Sequence, residues 1–431
     1  MSDCNGSGCS RKADSLKFEY LQKVHDRGIE PAVSTPVIDS DTHVSEPPDL
    51  WTSRMSSEKW GDMIPVVRED PEAGGHSWFI GDQRIGSFGA SAMVNTPGSD
   101  YPTRWTEDFP HMPARDDIHT SSWDAAERVR IMDRHGISAA ALFGNLGVSR
   151  NYFRNLDDES FKVEIVETYN DFLIDWISVA PERFIPLANV PFWNPAASAK
   201  EAERAASIGH KGIVITGIPE KHGLKPFADR SWDVLWDACT EHQLPIHFHA
   251  GGGDISQHFN QVRQDVMGGG AMQAAGTTNI TLDTAHSVSD LLASGVLPRY
   301  PDTRWVIVES AVGYLPFVLE CMDHHFEMYM KGSPQYAMFE GMPSEYFHRQ
   351  MLGTYWFEKL DQQLVDRVGP NNIMFETDYP HPTCLLEEDI RGAANAGLAG
   401  IDQEHRQRIL WKNAAELYKL SDIPEAGSLA A

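Results

Sequence analysis

Three short runs in this chain set metal-binding or acid–base side chains at a spacing that a strand can use. The first is Ile38-Asp39-Ser40-Asp41-Thr42-His43. Side chains of a strand alternate between its faces, which puts Asp39, Asp41 and His43 on one side. A carboxylate and an imidazole two residues apart can both reach one cation. The second run is Ile246-His247-Phe248-His249, followed by Ala250 and three glycines. The end of the run is read as the inward position. That assigns His249 to the cation and His247 to a hydrogen-bonded place beneath the helices, while the glycines leave room for a ligand. The third is Phe375-Glu376-Thr377-Asp378-Tyr379-Pro380-His381. An aspartate just past an apolar strand is poorly explained by packing. Asp378 can coordinate a metal and accept a proton from water or a substrate hydroxyl; His381 is an auxiliary polar group or a turn residue. A fourth polar end, Val308-Glu309-Ser310, offers a carboxylate that is either a general base with a raised pKa or a supporting group.

Asp41, His43, His249 and Asp378 together supply two nitrogen and two oxygen donors. Such a set suits one Zn²⁺ or Mn²⁺ ion with a position left for water or substrate. The donors span most of the chain, so they form a site only if the fold gathers them.

The elements that could do so are legible as apolar runs: Val37–Ser40, Ala139–Phe143, Phe184–Asn189, Gly212–Thr216, Pro245–His249, Trp305–Glu309, Leu352–Trp356 and Ile373–Glu376. Parallel strands covered on both faces read as continuous apolar segments of this kind. Helical patterns lie between them. Asp229–Gln243 places Trp232, Leu235, Trp236 and Cys239 on one stripe. Asp124–His135 opens with an Asp124/Glu127 capping pair and stops at Gly136. Ala196–Ile208 stops at Gly209, and Asp402–Leu420 reads as a long closing helix. Eight such units predict an α/β fold, a (β/α)₈ TIM barrel, whose chemistry lies at the C-terminal ends of the strands. Residues 44–122 break the rhythm as a long insertion after the first strand. Within it, Ser77–Ile80 and Arg84–Phe88 flank Gly81-Asp82-Gln83 as a hairpin. The insertion is either a lid over the site or a decorative or dimerising loop. The expected organisation is a flexible segment 1–35, one barrel 36–420 and a tail 421–431.

Composition narrows the partners. The chain has 431 residues, 41 % of them apolar, with 36 basic against 62 acidic side chains and a formal charge of −26. That field repels phosphate backbones and anionic bilayers, so nucleic acid and membrane partners are not expected. An anionic substrate would need a local cation. Arg104, Arg115 and Arg349 are candidates, beside Trp105, Trp193 and Tyr355 as aromatic walls or core. No apolar window reaches the ~18 residues of a membrane span, and Met1–Lys17 lacks the apolar core of a signal peptide. Five cysteines, Cys4 and Cys9 among them, suit free thiols in a reducing, cytoplasmic setting.

At these motifs the chain resembles the amidohydrolase superfamily, in particular the group related to aminocarboxymuconate-semialdehyde decarboxylase. The resemblance extends over Val37 to about Leu420 and includes Ser294-Gly295-Val296-Leu297-Pro298-Arg299-Tyr300-Pro301. It implies a barrel enzyme, a homodimer, and one divalent metal ion, Zn²⁺ or Mn²⁺. It implies loss of a carboxylate from an aromatic or enoic acid, or alternatively hydrolysis of an ester, lactone, amide or C–C bond by metal-activated water. A non-catalytic barrel kept for binding or assembly is the third reading, and it would predict broken ligands at the strand ends, where all four candidates are present. Two departures stand out. The first strand has Asp41-x-His43 in place of His-x-His, and Glu309 replaces the histidine of strand six. A branch of the family pairs that glutamate with a histidine that matches His286, as proton carrier or ligand; a helix-cap role is the other reading. Asp323 and His325 match supporting groups of that branch or are plain helix-surface residues. Lys211, at the N-terminal end of strand four, cannot be the modified lysine of binuclear relatives, which implies a mononuclear site.

Overall fold

The computed structural model describes residues 35–421 and 423, apart from 73, 90, 97, 99–100, 105–112, 147–155, 253–254 and 386–389. Cys4, Cys9, Trp105 and most of both terminal segments lie outside the described residues. Eight strands follow one another in space as in sequence: β1 Ile38–Val44, β2 Ala139–Gly144, β3 Phe184–Asn189, β4 Gly212–Ile215, β5 Ile246–His249, β6 Trp305–Val308, β7 Met351–Tyr355 and β8 Ile373–Phe375. Every neighbouring pair is parallel. A bridge between Thr42 and Tyr379, with the His43 N–H donating to the Tyr379 carbonyl at 2.6 Å, joins the two edges. The result is the expected α/β barrel.

Alternation along these strands builds two apolar layers. Ile38, Ala139, Ala141, Phe143, Ile185, Leu187, Val306, Val308 and Met374 fill the barrel interior, which Ala414, Ala415 and Tyr418 plug from below. Outward residues such as Ile213, Ile215, Ile246, Ile307 and Phe375 pack under the helices. Helix Ala125–His135 is capped by Asp124, which accepts the Glu127 N–H at 2.9 Å, and it ends at Gly136 with φ +70°. Helix Pro195–Ile208 stops at Gly209 with φ +111°. The closing segment, expected as one regular helix, contains a π-helical turn, Arg408–Lys412, between Gln403–Gln407 and Asn413–Tyr418.

The insertion is a built element. Gly75–Ile80 and Gln83–Ser87 form the expected hairpin, and Val66–Asp70 adds a third antiparallel strand that the sequence pattern did not reveal. Trp78 is buried edge-on against Trp51 at 5.0 Å, and the Trp51 indole donates to the Ile165 carbonyl in helix Glu159–Ile177. None of the described helices is long and apolar enough to cross a membrane.

Candidate metal centre

The first two donors owe their direction to an irregularity in β1. Asp39 pairs with Ala140 and Thr42 with Leu142, so Ser40 and Asp41 together face Ala141. One extra residue in a strand reverses the facing of everything beyond it. Asp41 and His43 therefore point into the barrel mouth, whereas Asp39 turns outward, correcting the expectation that all three share a face. The Asp39 carboxylate accepts the Thr377 N–H at 2.9 Å and the Thr377 hydroxyl at 2.5 Å, tying β1 to the end of β8. Burial pushes its pKa up to about 7, against the lowering effect of those Thr377 bonds.

Three buried side chains, Asp41, His43 and His249, then converge, with Asp378 beside His43. His43 Nε2 lies 3.3 Å from Asp41 Oδ1, 3.5 Å from Asp378 Oδ1 and 3.2 Å from His249 Nε2. His249 Nε2 is 3.3 Å from Asp41 Oδ2. Zinc-like bonds of about 2.0–2.2 Å set tetrahedral edges of about 3.3–3.6 Å, so the separations among Asp41, His43 and His249 suit donors that share one ion, while Asp378 adjoins this trio through His43 and forms a second cluster with His43 and His381. Both Asp41 oxygens are buried without a hydrogen-bond donor, a costly state for a carboxylate that a divalent cation would relieve. The electrostatics agree. Burial alone would raise Asp41, yet the His249 and His43 imidazoles hold it well below the carboxylate range. Burial alone would lower His43, yet Asp41 and Asp378 push it up to about 10. The cluster calls for positive charge.

Each donor has a support. His249 Nδ1 lies 2.8 Å from the Ala250 carbonyl and 3.3 Å from Glu309 Oε2. A proton on Nδ1 satisfies both acceptors and leaves the Nε2 lone pair for an ion. Glu309, at φ +54°, thus touches the back of His249, and its own N–H donates to Glu376 Oε2 at 3.0 Å. Glu376 is wholly buried; burial, followed by the Asp41 charge, drives its carboxyl well above the usual range. Asp378 sits at φ +63°, with Oδ1 2.6 Å from His381 Nδ1 and Oδ2 accepting the Thr383 hydroxyl at 2.5 Å. Asn145 uses its amide N–H groups on Ser45 Oγ and the Ser91 carbonyl, so its Oδ1 accepts from His381 Nε2 at 2.8 Å. His381 in turn stacks on His43 at 3.8 Å. Sequence reasoning assigned no role to Asn145, Thr383 or Glu376. For Glu376 the signal was present, since it alternates with Asp378.

Other candidates lie elsewhere. His247 was expected beneath the helices but stands inside the barrel one layer below His249. Residues two apart share a strand face. Its Nε2 lies 2.8 Å from the Tyr418 hydroxyl and its Nδ1 2.9 Å from the Ile213 carbonyl. His286 is 53 % exposed on helix Gly269–Ala293 and pairs with Asp290 at 3.0 Å. Ile280, Asp283, Thr284 and Ser287 are the residues of that helix that face His249 across a small cavity, so the structure does not bring His286 to the other candidate residues. Arg349 precedes β7 at the opposite end of the barrel. Arg115 lies exposed over the Trp123 ring, and Tyr355 is buried with its hydroxyl on the Ala394 carbonyl. Trp193 bonds Glu159 away from the cluster. Arg104 is near the mouth, donating to the Cys384 carbonyl at 2.5 Å. Asp323 caps Ser344, and His325 is exposed beside Tyr329. Lys211 sits before β4, at the end remote from the donors.

The family model described as amidohydrolase matches residues 38–420. A gamma-resorcylate decarboxylase from Rhizobium sp. (strain MTP-10005) is 24 % identical over 302 residues, 68 % of this chain and 86 % of the relative. An amidohydrolase structure from Mycobacterium avium subsp. paratuberculosis K-10 superposes with TM-score 0.67 at 18 % identity, covering 89 % of this chain and 98 % of the other. A dihydroxybenzoic acid decarboxylase from Polaromonas sp. JS666, with bound manganese and 2-nitroresorcinol, gives 0.59 at 19 %, covering 90 % and 97 %. At these identities the superpositions establish the barrel. The family match runs from the first residue of β1 through the closing helix, and with it the chain belongs to the amidohydrolase family.

Proposed function

We propose that this protein is a metal-dependent carboxy-lyase that removes CO₂ from an aromatic or enoic carboxylic acid. The observation that carries the reading is the convergence of Asp41, His43 and His249 at separations of 3.2–3.3 Å, with Asp378 3.5 Å from His43 and both Asp41 oxygens buried without a hydrogen-bond donor. Asp41, His43, His249 and Asp378 would hold one Zn²⁺ or Mn²⁺ ion. A bound ion supplies Lewis-acid stabilisation of negative charge on substrate oxygens and fixes their orientation. The names of the decarboxylase relatives support the choice of reaction.

Within that reading, Asp378 delivers a proton to the ring or vinyl carbon that bears the carboxylate. The electron pair of the breaking C–C bond returns to the ring and CO₂ leaves. Thr383 and His381 hold both Asp378 oxygens, keeping the carboxyl aimed while it exchanges the proton. Glu309 orients His249 through Nδ1 and is the second acid–base group of the site. We read the insertion as a lid, because Met93 and Ser121 from it meet Tyr379 and Cys384 beside the donors. Excluding water there favours protonation of carbon over competing proton exchange. A cytoplasmic homodimer completes the reading; exposed Val262, Val266, Phe317 and Tyr329 supply apolar surface for a second copy.

The test is metal content by plasma mass spectrometry after loading with Mn²⁺ or Zn²⁺, for wild type, His249→Ala and Asp378→Asn. One equivalent in wild type, lost in both variants, is expected. CO₂ release from a panel of hydroxybenzoates and enoic acids is then measured against hydrolysis of esters and lactones. Hydrolysis without CO₂ release overturns the decarboxylase assignment, and an inability of wild type to bind either metal overturns the site.

A further inference from the structure

Arg128 is 1 % exposed, and its guanidinium forms no ion pair within 4.0 Å among the described residues. A buried cation whose partners are carbonyls is costly, and an apolar side chain would fill the same space between helix Ala125–His135 and the barrel. What only a planar fork can do is grip two acceptors at once. Arg128 Nη2 donates to the His43 carbonyl at 2.6 Å and Nε donates to the Ser121 carbonyl at 2.8 Å. Its guanidinium carbon lies 4.8 Å from the centre of the Tyr379 ring.

Those three partners belong to the three segments that frame the donors. His43 follows the bulge, where the strand ladder is interrupted and by itself orients the backbone less firmly. Tyr379 follows Asp378 directly, its carbonyl accepts the His43 N–H at 2.6 Å, and its hydroxyl lies 2.5 Å from Ser121 Oγ. Ser121 and Ser122 end the insertion, and the Ser122 carbonyl accepts the Ser45 N–H at 2.9 Å. One side chain from the outer helix layer therefore touches the backbone of His43, the ring of the residue that follows Asp378, and the base of the insertion.

We propose that Arg128 is a positioning residue for the metal centre, holding His43 and the Asp378–Tyr379 link at the separation an ion requires. The inference rests on the reading that Asp41, His43, His249 and Asp378 bind a divalent ion. The molecule contains a built-in comparison. Arg183, 3 % exposed, donates to the Ser138 and Ile137 carbonyls at 2.7 and 2.8 Å, where the chain enters β2 at the far end of the barrel. It grips two carbonyls in the same way, pairs with Asp133 at 2.8 Å as well, and touches no donor.

The experiment measures Mn²⁺ dissociation constants by the electron paramagnetic resonance signal of free Mn²⁺ for wild type, Arg128→Met, Arg128→Lys and Arg183→Met. Unfolding midpoints of the metal-free proteins are recorded alongside. Loss of groups that orient metal ligands typically weakens affinity about 10–100-fold, and that is the expected loss for Arg128→Met. Arg128→Lys, which keeps the charge but can reach only one carbonyl, is expected to lose less. Arg183→Met is expected to lower the unfolding midpoint and leave the dissociation constant unchanged. Wild-type affinity in both Arg128 variants overturns the proposal, as does an equal loss in Arg183→Met, which would show that general loosening is responsible. If Arg128→Met does not fold, Arg128→Lys decides: weaker binding with Arg183→Met unchanged supports the role, and unchanged binding refutes it. If wild type binds neither Mn²⁺ nor Zn²⁺, the metal reading itself falls and takes this inference with it.

Discussion

Glu46 lies three residues beyond His43, where β1 leads into the insertion, and it is buried at 4 % exposure. Its Oε1 accepts the Leu146 N–H at 2.8 Å. Burial pushes its pKa from 4.5 up to about 7, the Leu146 bond only partly opposing it. A carboxyl whose pKa is raised in the folded state stabilises the fold while protonated. That contribution is complete below pH 4.5 and is lost as pH rises through 7. At about 1.4 kcal/mol per tenfold, the rise corresponds to on the order of 3 kcal/mol. Glu46→Gln removes the titration and keeps an acceptor for Leu146. Urea unfolding of both proteins in EDTA, between pH 4 and 8.5, reads the difference. The stability gap should widen in favour of Glu46→Gln by on the order of 3 kcal/mol between pH 4.5 and 7.5 and be flat outside that window. A gap that does not change with pH would refute the burial argument.

Three further outcomes follow from named contacts. Thr383→Val removes the hydroxyl donor to Asp378 Oδ2 and should weaken Mn²⁺ binding about tenfold, read by metal titration. Gly212→Ala brings a Cβ to 2.7 Å from His247 Cε1 and 2.9 Å from the Pro245 carbonyl. It should cost about 1–3 kcal/mol in chemical denaturation, because the strand core cannot shift to make room. His286→Ala, at an exposed helix position paired with Asp290, should leave metal content and turnover unchanged; loss of either would place His286 back in the site.

The sequence by itself determined the barrel and singled out the candidate donors. Parallel strands covered on both faces must be apolar throughout, so eight apolar runs declare themselves, and a polar residue at the end of such a run is exposed by contrast. Asp41, His43, His249 and Asp378 were legible for that reason. What the tertiary structure decided is direction and support. The extra residue at Ser40–Asp41 turned Asp39 to the helix side, and nothing in the local pattern of β1 announces where a ladder will slip. His247 went into the interior to meet Tyr418, a partner 171 residues away. His286 faced solvent because its helix packs through the faces bearing Thr284 and Ser287. Asn145 and His381 meet across 236 residues, and Arg128 and His43 across 85. Such contacts exist only once the sheet closes on itself. A strand's own periodicity sets which side chains can face the mouth, whereas closure sets which of them meet.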